Sequence, residues 1–162
     1  MPAMPDGPFD FAEAARRHRR DGAVPRFPAD ASVRVELCAT PPKNVGPKLK
    51  GREVVRVTFP MAETVRGVRV FDYVVRVLRD GREILRSVVL APGFHLPERL
   101  SHLAGEAFFG RDELPADGTV RFAVTPRDFY GTEGATLTSA DWQGCVRARL
   151  SAYAAFYGIM PT

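Results

Sequence analysis

The chain is short of the residues from which catalytic and metal centres are usually built. Its 162 residues include only three histidines, His18, His95 and His102, and two cysteines, Cys38 and Cys145. Two thiols so far apart make no disulfide framework, and no C-x-x-C pair is present for zinc or redox work. Both are expected to be free and partly buried, which favours a reducing compartment. No apolar run approaches the ~20 residues that span a bilayer, so no membrane partner is expected. The opening Met-Pro-Ala-Met-Pro-Asp-Gly-Pro lacks the charged and apolar regions of a signal peptide. A cytoplasmic chain is expected unless an export signal lies beyond this sequence. Lysine is nearly absent too, confined to Lys43, Lys48 and Lys50, so the formal charge of +4 rests on arginine. Such usage fits a GC-rich bacterial source. A nucleic-acid face needs clustered charge with interleaved aromatics. Here the arginines follow the polar side of each strand, so a solvated sheet face is expected and no nucleic-acid partner.

What is present is a change of period. Over residues 1–30 the pattern is a leader with one helix. Asp10 can cap Phe11 to Arg20, and Asp21-Gly22 stops it. Phe11, Ala14, Ala15 and His18 share a stripe, and a helix so short must dock on something. Pro25 and Pro28 then stiffen an extended link. From residue 31 the period becomes two. Val33, Val35 and Leu37 alternate with polar neighbours, as do Val55, Val57 and Phe59. Phe71, Tyr73, Val75 and Val77 follow, then Val120, Phe122 and Val124. Each run predicts a half-buried strand. Asp80-Gly81 predicts a tight hairpin, and Asp117-Gly118 launches the strand at Val120. Gly131 to Gly134 separates that strand from a short last one at 135–138. Pro41–Gly51 reads as a loop, while residues 92–113 suit either a helical turn from Pro97 to Ala104 or an irregular crossover.

Over 140–162 helical spacing returns. Ser139 or Asp141 can cap a helix ending at Gly158, with Val146, Leu150, Tyr153 and Tyr157 on one face. The expected fold is therefore mostly β, an antiparallel sandwich over 31–139 with short N- and C-terminal helices.

Several runs carry a resemblance. Tyr73-Val-Val-Arg-Val77 resembles the central Y-x-V-x-V strand of fibronectin type III domains. Leu114, Asp117-Gly-Thr-Val-Arg-Phe-Ala-Val124 and Asp128-Phe-Tyr-Gly131 resemble their penultimate strand and final hairpin. The usual tryptophan of the preceding strand is replaced by Val57 and Phe59, and the corner tyrosine position falls at Val120. A narrower likeness runs through Phe9-Asp-Phe11, Pro25-Arg-Phe-Pro-Ala-Asp-Ala31, Val57-Thr-Phe-Pro-Met-Ala62, Val70-Phe-Asp-Tyr73 and Gly93-Phe-His-Leu-Pro97. In that order they are similar to the C-terminal accessory region of bacterial calcineurin-like metallophosphoesterases. In that family the preceding catalytic domain supplies the dinuclear metal site.

The resemblance implies phosphoester hydrolysis only where that domain's ligands are present. The motifs G-D-x-H, G-D-x-x-D, G-N-H-E and G-H-x-H have no counterpart here. His95, Glu98 and His102 would hold a metal only if 97–104 were helical, and Arg99 beside them would repel a cation. There is no G-x-S-x-G elbow, and neither cysteine has a histidine near it in sequence. No cofactor or catalytic residue is assigned. The expected function is a non-catalytic accessory or protein-interaction module, with a neighbouring domain or second subunit as partner. Its contact residues are expected among Tyr153, Phe156 and Tyr157 of the last helix. The alternatives are a carbohydrate- or small-ligand-binding sandwich using Phe129, Tyr130 and Trp142, and a small enzyme using the His95 group.

Overall fold

Asp10 opens the first element: its carboxylate accepts the Glu13 backbone N–H at 3.1 Å and caps α1, Phe11–Arg20. The computed structural model describes residues 8–39, 46–63, 68–91 and 104–142. After α1 come β1 (Arg34–Cys38), β2 (Val54–Phe59), β3 (Val70–Arg79) and β4 (Arg82–Leu90). They are followed by β5 (Gly105–Gly110), β6 (Val120–Asp128) and β7 (Leu137–Thr138). Among the described residues the strands form two antiparallel sheets, in the orders β1-β2-β5 and β4-β3-β6-β7. The chain is a mostly antiparallel β-sandwich.

Alternation decides what the two sheets share. Val55, Val57 and Phe59 of β2 meet Tyr73, Val75 and Val77 of β3, with Phe122 and Val124 of β6 and Phe109 of β5. All are buried, and each contributes about 1.5–3 kcal/mol by leaving water. Val33, Val35 and Leu37 pack on this core from the edge, only partly buried. Phe71 departs from the simple alternation. A register shift between Val70 and Asp72 in the pairing with β6 turns Val70 into the core and leaves Phe71 half-buried beside Phe129.

Asp80 and Gly81 have φ of 50° and 80° and close the β3–β4 hairpin. A two-residue turn with both central φ positive matches the strand twist, as an Asp-Gly pair predicts. The stretch left without a decisive pattern, 92–113, contains β5 and a 3₁₀ turn at Arg111–Glu113. The helical turn expected from Pro97 and the C-terminal helix with Tyr153, Phe156 and Tyr157 lie outside the described residues.

On the outer face of the second sheet the charged side chains of β3 and β6 are matched with partners. Asp72 and Arg127, opposite each other on β3 and β6, form a two-pronged ion pair at 2.7 and 2.6 Å. That bond to Asp72 raises the Arg127 pKa further above its ordinary value. Arg76 bonds Thr125 at 2.9 Å and Glu83 at 3.1 Å, and Glu83 also holds Arg86. The arginines named here lie along a sheet face, as the strand pattern predicts.

Candidate interaction site at the helix-capped end

The link after α1 carries the chain over one end of the sandwich. Arg26 and Glu63 bridge by two backbone hydrogen bonds, tying the link to the segment that follows β2. Gly134 lies directly under the Pro25 carbonyl, where a Cβ would collide with that backbone. These contacts lay α1 against the hairpin that joins β6 to β7.

The helix is held there by a buried pair 110 residues apart in sequence. His18 Nε2 lies 2.6 Å from Asp128 Oδ2, with His18 8% exposed and Asp128 3%. The other oxygen, Oδ1, accepts the backbone N–H of Tyr130 and of Thr132, both at 2.9 Å. One carboxylate therefore shapes the hairpin and clasps the helix at once. Burying a carboxylate is costly unless its oxygens are bonded, and here both are. The Tyr130 ring stacks at a tilt on the imidazole, 5.1 Å between centroids.

Around the clasp the aromatic rings gather. Phe11 meets Phe129 at 5.7 Å and Tyr130 at 5.5 Å, and Phe129 touches Tyr130 and Phe71. Phe11 remains 46% exposed and Phe129 49%, whereas Tyr130 is half-buried. Phe11–Phe129 and Phe129–Tyr130 each meet at 75°, an edge-to-face packing. The result is an uneven apolar knob on a fixed base.

Trp142 stands elsewhere. Its ring packs edge-on against Phe122, and its backbone N–H donates to the Val120 carbonyl at the start of β6. Phe129 follows the end of β6, about 30 Å away along the strand. The structure brings Phe129 and Tyr130 together and separates both from Trp142. At the Trp142 end, Leu78, Asp80, Gly81, Thr119, Arg121 and Thr138 line a shallow open groove. Its charged rim is paired, Arg79 to Asp117 at 2.7 Å and Arg121 to Asp141 at 2.5 Å.

His95, Glu98, His102 and Cys145 lie outside the described residues, and Cys38 is a free, half-buried thiol on β1. Among the described residues no three His, Cys, Asp or Glu side chains converge as metal ligands. The Phe11 contribution to the knob is absent from the sequence expectation, although Phe11 stands on the predicted docking stripe of α1. Comparison with known protein families, with characterised proteins and with solved structures finds no match.

Proposed function

We propose that this chain is a non-catalytic interaction module built on a fibronectin type III-like sandwich. It is of the kind appended to bacterial calcineurin-like metallophosphoesterases, and it meets a protein partner through the knob of Phe11, Phe129 and Tyr130. The carrying observation is that knob: two half-exposed phenylalanines packed on each other beside the His18–Asp128 clasp. Exposed aromatics on a fixed scaffold are the residues that anchor protein interfaces, because their burial is large and their ordering is already complete. Support for the fold type comes from the strand order: first, second and fifth in one sheet, fourth, third, sixth and seventh in the other. A sugar or flat ligand would favour coplanar rings, and the 75° packing favours a protein surface instead.

The test is calorimetric titration of the chain with a calcineurin-like catalytic domain from the same source. Saturable binding is expected, weakened roughly ten-fold or more by Phe129→Ser and by Phe11→Ser. The chain alone with Mn²⁺ is expected to leave aryl phosphate mono- and diesters intact. Turnover by the chain alone, or binding indifferent to both substitutions, overturns the proposal.

A further inference from the structure

The second sheet ends in β4, and among the described residues no strand pairs with its outer edge. Which backbone groups face that edge follows from the ladder. Ala91 donates to the Phe71 carbonyl, and Asp72 to Val77 pair in constant register with Leu90 to Leu85. In an antiparallel pair, hydrogen-bonded residues alternate with non-bonded ones. Leu85, Ser87 and Val89 therefore bond to β3, and Arg86, Val88 and Leu90 turn their N–H and C=O outward. Bonds on the far side of the sheet obey the same parity: Val120, Phe122 and Pro126 of β6 offer their carbonyls toward β7 and its flanks.

The same three residues place their side chains on the solvent face, where Val88 is 51% and Leu90 66% exposed. Sheet edges are normally blunted by proline, charged side chains (lysine above all) or a bulge. Between Arg82 and Leu90 there is no proline or lysine, and the register shift lies at the hairpin end, around Ile84. From Leu85 to Leu90 the register is regular, Arg86 is the one charged side chain and is held by Glu83, and among the described residues nothing pairs with this edge.

We propose that this edge binds a second copy of the chain, β4 against β4, antiparallel, with Val88 on the two-fold axis. Parity allows a few registers, and side chains choose among them. Centring on Arg86 sets two arginines directly opposite, which is destabilising. Centring on Ser87 leaves them diagonal neighbours and needs the shifted Ile84 to pair. Centring on Val88 pairs all three outward residues, Val88 with Val88 and Arg86 with Leu90 of the other copy. Each Arg86 stem then covers the exposed Leu90 across the axis, while its guanidinium stays with its own Glu83 at 2.9 Å. The two sheets become one, and about six backbone hydrogen bonds close the seam. The contact is self-complementary, as a two-fold interface must be, and it stops at two copies. A strand-edge seam is small, so the dimer is a weak one.

Sedimentation velocity from about 1 µM to several hundred µM tests this, the expected result being a monomer that gives way to a dimer. Val88→Pro removes only an outward N–H and Val88→Lys sets like charges on the axis. Both should stay monomeric with an unchanged far-ultraviolet spectrum. In a background of Cys38→Ser and Cys145→Ser, Val88→Cys should oxidise to a covalent dimer, since directly opposed residues lie about 5.5 Å apart. Arg86→Cys should not, being offset from its own copy by four residues. A monomer at every concentration, a dimer unmoved by both Val88→Pro and Val88→Lys, or preferential cross-linking through Arg86→Cys overturns the proposal.

Discussion

Tyr73 sits at the centre of the sandwich with its hydroxyl fully employed. It accepts the Ala62 N–H at 2.9 Å and lies 3.7 Å from the Met61 sulfur, to which it donates. Burial favours the neutral phenol and pushes its pKa up to about 12, against about 10 in an unfolded chain. A raised folded pKa means the unfolded chain loses its proton first. The contribution to stability is therefore complete below about pH 10 and is lost as pH rises toward 12. In a phenolate absorbance titration, Tyr73 should give a late step that coincides with alkaline unfolding. Tyr73→Phe should remove that late step and cost about 1–2 kcal/mol in a urea melt, since the Ala62 N–H is left without its acceptor. A wild-type titration complete near its ordinary value of about 10 would contradict this burial. Asp128 carries a larger stake. Asp128→Ala strips the acceptor from His18 and from two backbone N–H groups, at an expected cost of about 3–5 kcal/mol. A loss below about 1 kcal/mol in the same melt would show that the clasp does not secure the helix.

At the scale of elements, β5 is the strand that composition conceals. It reads Gly105-Glu-Ala-Phe-Phe-Gly110, with no β-branched residue and small side chains where the sheets approach closely. The reason is steric: the Phe59 ring occupies the space where a Cβ on Gly105 would stand. Gly105→Ala should therefore lower stability by about 1–3 kcal/mol through overpacking, measured as a shift in urea midpoint, and Phe59→Leu should partly rescue it. Independent effects of the two substitutions would refute the contact. This is where legibility from sequence ends. β2, β3 and β6 announce themselves because each alternates β-branched or aromatic residues with polar ones over six or more positions. The hairpin at Asp80-Gly81 and the helix Phe11–Arg20 are equally legible, each from local stop and turn chemistry. The clasp is half-legible. His18 stands on the docking stripe and Asp128 heads the hairpin signature, but nothing local joins two residues so distant in the chain. That β4 is an edge strand among the described residues is legible only once β3 is known to lie on one side of it, because edge and centre differ by neighbours and not by pattern.

The whole molecule is a sandwich whose two ends differ. One end carries the paired groove near Asp80 and Thr119, the other the link, the clasp and the aromatic knob. The proposed knob and the proposed β4 seam use different residues, and Phe71, which touches Phe129 and accepts the Ala91 N–H, stands between them. The wide separation of His18 from Asp128 also has a bearing on how the molecule is made. A ribosome releases α1 before any strand of the sandwich, yet its anchor arrives only after β6 and the turn behind it have emerged. Ten residues of helix are marginal in water alone. The first of the described elements to be synthesised is thus among the last to be secured, and until β6 and its turn arrive Phe11 lacks the Phe129 and Tyr130 rings that flank it in the fold.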